Sequence, residues 1–550
     1  MPDPKDSKAT LIGHAAARYN QLSSEREEWI DAAERFAAIT LPSVMPPEGR
    51  AVPDRKIVPH NNTGAQGVNT LASKMNLQLL PPQQAFFRME LKPEAKKLIR
   101  GAAGSEDPGV AAQGQAIEQE LQSSLVDLEQ RLLMEIGRDN VRSNAGEAFK
   151  QLLVVGNVLL HIPEKGATSV VTLRNFVVKR DPAGNVLNIV MREQVAEVAL
   201  TPQQRHAMGL GDALSVPQSP EPSSAKPSDA THKTIDIFTV AERTEHDSYE
   251  MWQEVNGAMV SGSWGKYKEG DLPLIPLRWT ETAEEDYGHA YVGDFEGDLM
   301  VLEGLSKAIK EAAMASSRVL FGVSKSAPVG LENQLSSAPN GAFRRFDDRD
   351  ISVLQVNKMA DLSMASQTAQ EAQMRLRQAF LLNSTRNAER VTAEEIRLNF
   401  QELQAALGGA FAQLANTFQV PLLRRLMIRL KARGGLKGIE DAVTQTEPVI
   451  ITGVDALGRN VEMGNMLAFT DGLQRALGPQ TAAMVLKPHE VAKRMANATN
   501  VKPEGMVRSE QEFAQMQQQS SMQTAFEKGA GPTAAAAIRA GTVSPPQGEA

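Results

Sequence analysis

An acidic cluster is the part of this sequence best suited by residue type to metal chemistry. Asp347, Asp348 and Asp350 lie close together, directly after Arg344 and Arg345. Two-metal nucleases hold their ions with carboxylates of this kind, although those ligands usually come from separate elements. The spacing does not fit an EF-hand loop, because no glycine or final glutamate is correctly placed. We interpret the cluster as a solvated charged turn and keep a metal-dependent nuclease as an alternative function.

The other residues that could do chemistry are scattered or lack the required spacing. Glu284, Glu285 and Asp286 predict a second solvated loop, just before Tyr287. The segment GSWGK at residues 262–266 lacks the spacing of a phosphate-binding loop and predicts a hairpin turn. The 8 histidines form no close pair of metal ligands, and the absence of cysteine excludes disulfides and cysteine-based sites. We therefore predict no catalytic residue, no metal and no cofactor.

A polar segment between two helical stretches, Leu382–Arg390, contains Arg386 and Arg390. Thr392 and Glu395, which follow it, have the spacing of a capping box that would start a long helix. This pattern fits an ordinary connection between helices, and it equally fits a loop that long helices project towards a binding partner. The residues alone leave both interpretations open.

Length and charge limit the classes of protein to which the chain can belong. Its 550 residues correspond to about three to four domains' worth of chain. The 58 lysines and arginines are outnumbered by 66 aspartates and glutamates, which gives a net charge of −8. An acidic protein is poorly suited to hold DNA tightly through its phosphates, but it can let DNA slide past. We expect neither a secretory signal nor a membrane span.

Hydrophobic periodicity predicts a mainly α-helical chain with an α+β middle third. The predicted helices are Leu11–Thr40, a helix ending at Leu79, Ala116–Leu160 with a break near Gly137–Asn140, Asp298–Phe321, Asp361–Leu382 with Asp361 as N-cap, and about Thr392–Arg433. Gly408-Gly409 and Pro421 are the expected kinks of the last helix, whose basic end complements its dipole. The predicted strands are FFRMEL, a hairpin around Asp181–Asn185, IDIFTVAERT, YEMWQEV, LPLIPLRWT and EPVIITG.

Five long segments form a pattern more specific than any of these short motifs. They are TGAQGVNTLASKMNLQLLPPQQAFFRMEL (63–91), FKQLLVVGNVLLHIPE (149–164), FVVKRDPAGNVLNIVMRE (176–193), EDYGHAYVGDFEGDLMVLEGLSKAI (285–309) and AFLLNSTRNAERVTAEEIR (379–397). In this order, within about residues 10–470, they resemble the portal (head-to-tail connector) proteins of short-tailed, podovirus-type bacteriophages. The chain departs from that family in residues 217–232 and 322–343 and in its C-terminal tail.

The resemblance implies the phage portal fold, which is mainly α with an α+β wing and clip and a long kinked helix, and which assembles as a ring. The implied regions are a wing at 1–297 with a mobile loop at 215–232, a first stem helix at 298–321, a clip at 322–358, a second stem helix at 359–382, a channel (tunnel) loop at 383–390, a long kinked wing-to-crown helix at 391–433, a wing return and crown at 434–510, and a flexible Gln/Ala/Gly-rich tail at 511–550.

The resemblance also implies a structural function without catalysis. The ring, usually a dodecamer, would be assembled in the host cytoplasm and sit at one capsid vertex of the virion, where double-stranded DNA is packaged and ejected through it. The residues implied to face DNA are Asn383, Arg386, Asn387 and Arg390. Those implied to contact partners through the clip are Arg344, Arg345, Asp347 and Asp348.

The implied partners are proteins of the assembling particle, with no membrane anchor. They are terminase during packaging, tail adaptor or nozzle proteins afterwards, and the major capsid, scaffolding and internal core proteins. Besides the nuclease, another phage structural protein such as an adaptor or scaffold remains an alternative. Adaptors are usually shorter and scaffolds more uniformly helical, so the α+β middle third counts against both.

Overall fold

The computed structural model divides the chain into two units, Met1–Thr452 and Gly453–Ala550. It describes residues 13–46, 58–81, 86–95, 97, 108–209, 234–244, 248–316, 320–325, 327, 329–339, 342–343, 347–354, 359–382, 405–436, 446–450, 469–476 and 478. The predicted loop at 215–232 and tail at 511–550 lie outside these residues. In the second unit, residues 469–476 form a helix with an ion pair of 2.7 Å between Asp471 and Arg475. Within the described ranges, no helix is long and apolar enough to cross a membrane.

Two helices, α1 (Ala15–Glu25) and α2 (Glu27–Ile39), occupy the stretch predicted as the single helix Leu11–Thr40. The helical character is confirmed, but the continuity is not, because the helices are separated at Arg26. The guanidinium of Arg26 is buried and donates a hydrogen bond to the carbonyl oxygen of Leu173 at 2.7 Å. A contact this distant along the chain anchors the junction of the two helices and leaves no local sequence signal.

The next elements along the chain differ from the prediction in the length of one helix. They are α3 (Thr63–Leu79), β1 (Phe87–Leu91), α4 (Pro108–Arg138), α5 (Val141–Val155), β2 (Asn157–His161) and β3 (Ser169–Val171). The end of α3 and the break near Gly137–Asn140 are confirmed. The continuation of helix to Leu160 is wrong, because Gly156 ends α5 in the left-handed conformation (φ 79°) and the next residues form β2. Strand β2 is buried on both faces, and such a strand lacks the alternation that separates strand from helix.

A six-stranded antiparallel sheet confirms the α+β character of the middle third. Its order is β4 (Phe176–Arg180), β5 (Val186–Ala196), β6 (Thr234–Thr244), β7 (Ser248–Val255) and β8 (Ala258–Met259), with β9 (Gly265–Lys268) also paired to β7 and a short helix α6 (Pro202–Ala207) between β5 and β6. The predicted hairpin around Asp181–Asn185 is β4 and β5. Of the turn predicted at 262–266, Gly262 lies in a turn (φ 77°), whereas Gly265 already begins β9.

The two faces of this sheet pack against different parts of the molecule. Val190 and Val240 pack in a small cluster with Ala15 and Tyr19 of α1. Ile189, the neighbour of Val190, belongs to the main hydrophobic core instead. Successive side chains of a strand point to opposite faces, so burial on both faces fixes the register of the sheet.

A second sheet has the order β10–β2–β3, in which β10 (Leu274–Arg278) is the predicted LPLIPLRWT strand. Antiparallel pairing joins Leu274 to His161 and Arg278 to Asn157. The sheet therefore joins residues 157–161 to residues 274–278, which lie shortly before the helices described next.

Helices α7 and α9 flank, in the sequence, a segment of two short strands and a short helix. The elements are α7 (Glu296–Ser316), β11 (Leu320–Val323), a short α8 (Leu331–Ser336), β12 (Ile351–Leu354) and α9 (Met359–Ala379). The predicted extension of α7 to Phe321 is wrong, because Phe321 pairs with Val353 in the ribbon β11–β12. Asp361 is not an N-cap, since α9 already begins at Met359. Arg375 near the end of α9 bonds Asp298 near the start of α7 at 2.7 Å, so the helices run antiparallel.

The described part of the long helix is α10 (residues 405–414), a π-helical segment at Ala415–Gln419 and α11 (Val420–Ala432). Gly408 and Gly409 lie inside α10 and do not interrupt it. The π segment ends two residues before Pro421, whose ring would collide with the carbonyl four residues earlier in a regular α-helix. The wider π turn removes that collision. The predicted capping box at Thr392 lies outside the described residues.

Strand β13 (Thr446–Ile450) pairs with β1, which confirms the EPVIITG and FFRMEL strands. Pro448 lies opposite Met89. The backbone N–H of Met89 points away from β13 and donates to the buried carboxylate of Glu129 at 2.7 Å. Because Pro448 lies opposite Met89, its backbone nitrogen also points away from the partner strand, and proline has no N–H to donate there. Each outer edge of this small sheet therefore lacks one free donor for a further strand.

Candidate functional site

The residues predicted to face DNA, Asn383, Arg386, Asn387 and Arg390, lie outside the described residues. The structure describes the chain that leads to them, as far as Leu382. We call residues 379–382, at the C-terminal end of α9, the α9 corner. In the sequence, the predicted DNA-facing residues follow this corner directly.

The acidic cluster forms a charged turn before β12. Arg344 and Arg345 lie outside the described ranges, whereas Asp347 is exposed and its Oδ1 accepts a hydrogen bond from the backbone N–H of Arg349 at 3.0 Å. Asp348 begins a short 3₁₀ turn. Across the part of the chain that the structure describes, no group of three or more histidine, aspartate or glutamate side chains could hold a metal. A solvated turn fits this geometry, and partner binding here stays a prediction.

Aromatic side chains fix the α9 corner. Phe380 is fully buried (0% exposed), with its ring centroid 5.8 Å from that of Tyr291 and 5.9 Å from that of Phe295. The hydroxyl of Tyr291 donates to the carbonyl oxygen of Ala379 at 2.7 Å. Burial raises the pKa of Tyr291 to about 12, so this hydroxyl remains a protonated donor at neutral pH.

The chain turns at Leu381 in an uncommon backbone conformation. Its φ is 53°, in the left-handed region that side chains of this size rarely adopt. The ammonium group of Lys74 donates to the carbonyl oxygen of Leu381 at 2.8 Å. A lysine near a helix C-terminus also complements the negative end of the helix dipole.

Close packing of α3 brings Lys74 to the corner. A Cβ atom at Gly67 would lie only 2.8 Å from the Cβ of Phe380, and a Cβ at Gly64 would lie 2.9 Å from the Cγ2 of Thr40. Each distance is shorter than a normal contact between carbon atoms, so only glycine lets α3 approach its neighbours this closely.

A second close crossing lies between α5 and the segment before α7. The side chain of Asn157 binds the backbone of Gly288 twice, accepting from its N–H at 2.8 Å and donating to its carbonyl oxygen at 2.8 Å. A Cβ at Gly156 would lie 2.6 Å from the same carbonyl oxygen. The backbone of 288–290 therefore fits against Gly156 only because Gly156 has no side chain.

The sequence matches a known protein family over most of its length. A family model described as "Bacteriophage head to tail connecting protein" matches residues 13–507. The chain belongs to this family. The portal protein of Escherichia phage T7 is 33% identical over 548 residues, covering 96% of this chain and 95% of the relative. The portal protein of Enterobacteria phage T3 is 32% identical, covering 98% of this chain and 97% of the relative. A subunit in the neck of an empty GTA particle aligns with 85% of this chain at 13% identity and a TM-score of 0.33.

In this head-to-tail connecting protein, four of the five segments that resemble portals meet around the two crossings. Segment 63–91 supplies Gly67 and Lys74, and segment 379–397 supplies the α9 corner. Segment 149–164 supplies Gly156 and Asn157, which contact Gly288 in segment 285–309. These segments are far apart in the sequence, and their mutual contacts give a physical reason for the residue types found there.

A stripe of arginines on α11 is a structural feature that the sequence interpretation missed. Arg425 and Arg429 are both 0% exposed, although they were interpreted only as part of a basic helix end. Arg425 donates to the carbonyl oxygen of Ile162 through Nε (3.2 Å) and Nη2 (3.0 Å). Arg429 donates to the carboxylate of Asp139 at 2.8 Å. The spacing of four residues, continued by Arg433, was the available signal, since it places all three on one helix face.

Burial and neighbouring charges shift the pKa values of the ionisable groups in and around this stripe. Burial lowers the pKa of Arg425 and of Arg429, and burial raises the pKa of Glu135, which pairs with Arg433. Burial, followed by the charges of Arg425 and Arg429, lowers the pKa of His161 to about 4. His161 is therefore neutral at pH 7 and adds no further positive charge beside the arginines.

The loop predicted to be solvated at Glu284–Asp286 instead closes an edge of the large sheet. Asp286 accepts from the backbone N–H of Arg180 at 2.6 Å, and the hydroxyl of Tyr287 accepts from the N–H of Val178 at 3.1 Å. Both N–H groups belong to edge strand β4. Glu284 itself is exposed, as predicted. The interpretation was wrong for Asp286 because its partners lie about a hundred residues earlier in the chain.

Proposed function

We propose that copies of this chain form a closed ring at one capsid vertex of the phage particle, through which double-stranded DNA is packaged and ejected. Membership of the head-to-tail connecting family supports this proposal, as do the portal proteins of T7 and T3 that match nearly the whole chain. In the proposed subunit, residues 1–297 form the wing, α7 and α9 the stem, 322–358 the clip, and 434–510 the wing return and crown.

Apolar side chains on the outer surface of α7 and α9 are the observation that best supports a ring. The exposed methionines are Met300 (56%), Met314 (64%), Met364 (75%) and Met374 (58%). Large exposed apolar groups that form one patch are typical of a surface that another protein covers, and we propose that these methionines contribute to such a patch. A neighbouring copy of the same chain is the partner that a ring supplies, with one face of the helix pair against a different face of the next.

The ribbon β11–β12 supports the same conclusion. A two-stranded ribbon is only marginally stable in water unless it packs against something else. Val329 and Phe343, in the segment between its strands, are fully exposed at 104% and 102%. Contact with neighbouring copies in the ring would cover them.

The net charge of the chain suits a channel through which DNA moves better than a protein that binds DNA tightly. The chain carries a net charge of −8, and a channel that neutralised many phosphates would hold DNA too tightly for it to move. In the ring, Arg386 and Arg390 of every copy would make two narrow circles of positive charge in an otherwise acidic protein. We propose that they, with Asn383 and Asn387, face the DNA.

The proposed ring sits in the virion neck and is assembled in the host cytoplasm. Terminase would dock on it during packaging, and tail adaptor or nozzle proteins afterwards, with Arg344, Arg345, Asp347 and Asp348 as proposed contact residues. Major capsid, scaffolding and internal core proteins are the remaining proposed neighbours. Packaging energy would come from the terminase partner, since the family assigned here is a structural one.

Electron microscopy of the purified full-length protein tests the ring. Closed rings with a central hole are expected, whereas monomers or open filaments would contradict the proposal. Met314→Glu on α7 should weaken assembly by at least about tenfold, because a carboxylate would be buried between copies. Met134→Glu on α4 is the matched control, since Met134 is similarly exposed (70%) and lies on a helix whose main contacts are with β1, α5 and α11.

The same preparation distinguishes the nuclease alternative. A metal-dependent nuclease would cut double-stranded DNA in a reaction that EDTA abolishes. We expect no EDTA-sensitive cleavage by assembled rings. Cleavage that persists through purification and is lost in Asp347→Asn would favour the nuclease.

A further inference from the structure

A buried carboxylate of strand β7 holds the start of helix α1 against the large sheet. Glu254 is 1% exposed, and its two carboxylate oxygens accept hydrogen bonds from the backbone N–H groups of Gly13 and Ala15, each at 3.0 Å. The indole Nε1 of Trp252, also on β7, donates to the same carboxylate at 2.7 Å. Because α1 begins at Ala15, a side chain 239 residues further along the chain supplies its N-terminal cap.

Helix α1 needs this cap because its own residues are poorly suited to start a helix. Among the residues that the structure describes, His14 stands at the N-cap position and its side chain makes no capping hydrogen bond. The first turn contains no acidic residue and carries Arg18, whose positive charge opposes the helix dipole. With 11 residues, α1 is also shorter than the ~12–15 residues below which an isolated helix is marginal in water. Its stability therefore comes from contacts with the sheet.

The apolar contacts of α1 are separate from the main hydrophobic core. Ala15 and Tyr19 pack in a small cluster with side chains from four strands of the large sheet, namely Val177, Val190, Phe238, Val240 and Trp252. Ile30 and Phe36 of α2, by contrast, belong to the main core. A helix that packs only in a small separate cluster can detach at a lower free energy than the core needs to unfold.

The buried residue Arg26 marks the end of the part that can detach. Its bond to the carbonyl oxygen of Leu173 fixes the junction between α1 and α2. The ion pairs of α1, Arg18 with Glu242 at 3.1 Å and Glu25 with Lys179 at 3.0 Å, are partly exposed, and such pairs contribute little. The charge-assisted bonds of the buried Glu254 carboxylate are expected to be stronger.

We propose that α1 is a latch, which opens as a unit up to Arg26 while the rest of the subunit stays folded, and that Glu254 is the residue that holds it closed. Opening uncovers the apolar face of the large sheet that carries Val190, Phe238 and Val240, and closing covers it. The proposal does not depend on the ring, because every contact that carries it lies within one copy of the chain.

Hydrogen exchange of backbone amides in the full-length protein, read by mass spectrometry, tests whether α1 opens locally. In the wild type, the amides of α1 should exchange at least about a hundredfold faster than those of α5. Low concentrations of urea should barely change exchange in α1, since local opening exposes little surface, whereas exchange in α5 should accelerate with urea. Equal rates with equal urea dependence would show that α1 opens only when the whole subunit unfolds, and would overturn the latch.

The substitution Glu254→Gln tests the residue that closes the latch. It keeps the shape of the side chain but removes the charge that strengthens its hydrogen bonds, so exchange in α1 should accelerate about tenfold or more. The matched control is Glu242→Gln, which removes the partly exposed pair with Arg18 and should accelerate exchange less than about threefold.

Exchange in α1 that is the same for Glu254→Gln as for the wild type, or as for Glu242→Gln, would overturn the role of Glu254. Should Glu254→Gln not fold, Glu254→Asp takes its place with the same expectation, because the shorter side chain cannot reach both N–H groups. The urea comparison in the wild type decides the latch in either case.

Discussion

Gly67 lies where helix α3 crosses the end of helix α9, and the crossing leaves no room for a side chain. Phe380 is fully buried beneath it, enclosed by Tyr291 and Phe295. The ring of Phe380 therefore cannot move aside without displacing the aromatic cluster that holds the α9 corner. A glycine inside a helix normally costs stability, so its presence here reflects the packing and not the helix.

Gly67→Ala should lower the free energy of unfolding by about 2–3 kcal/mol, because the added methyl group overlaps Phe380. Gly304→Ala is the matched control, since Gly304 is also inside a helix and a Cβ there meets nothing within 4 Å. That control should gain about 0.5–1 kcal/mol from helix propensity alone. Urea unfolding at fixed protein concentration measures both, and equal effects of the two substitutions would contradict the close crossing.

Residue roles of this kind were beyond sequence interpretation for a physical reason. Gly67, Asp286 and Arg425 each act on partners that lie at least about a hundred residues away in the chain, and a local pattern contains no information on such partners. The identity of Asp286 was visible, but its hydrogen bond to the backbone of β4 was not. The predicted DNA-facing residues, by contrast, were named from resemblance, and their geometry lies outside the described part of the structure.

At the scale of elements, the π segment aligns two halves of the long helix. Leu407, Phe411 and Leu414 are buried before it, and Leu422 and Leu426 after it. Each residue of an α-helix advances about 100° around the axis. One extra residue in a π turn shifts the following stripe by roughly that amount, which keeps both halves facing the same core. Arg425 and Arg429 then fix the second half to the segment that follows β2.

Deleting Asn416, whose side chain is exposed, should remove the π turn and rotate α10 by about 100° relative to α11. Leu407, Phe411 and Leu414 would leave the core, with an expected loss of at least about 4 kcal/mol in unfolding free energy. The control Asn416→Ala keeps the length and should change stability by less than about 1 kcal/mol. Urea unfolding decides between them, and a deletion as stable as the substitution would show that the π turn does not set the alignment.

Most elements, unlike their boundaries, follow from local pattern. The hairpin β4–β5 and the strands β6 and β7 were predicted because alternation and turn residues are local signals. The errors fall where pairing with a distant segment decides the structure. Phe321 lies in a strand because Val353 is opposite it, and residues 157–161 form a strand because β10 and β3 flank them.

At the scale of the whole molecule, the proposed passage of DNA through an acidic protein requires positive charge to be confined to a few places. The arginines of α11 do not serve this purpose, because Arg425 and Arg429 are buried and bind carbonyl oxygens and Asp139. Their positive charge is used inside the subunit, to join α11 to the segment after β2 and to the end of α4. In the proposed ring, Arg386 and Arg390 are the arginines that we expect to contact DNA.

Replacing both Arg386 and Arg390 with glutamate should reduce DNA retention in packaged particles by at least about tenfold, because it turns two circles of positive charge into negative ones facing phosphates. Ring assembly, judged by electron microscopy, should be unchanged, since neither residue lies on the proposed contact surface of α7 and α9. The double lysine variant keeps the charge and should retain DNA nearly as well as the wild type. Retention should also fall with rising salt, more steeply for the wild type than for the glutamate variant. Equal retention by the glutamate and lysine variants would show that these positions do not face DNA, and the channel would then have to meet DNA through other residues.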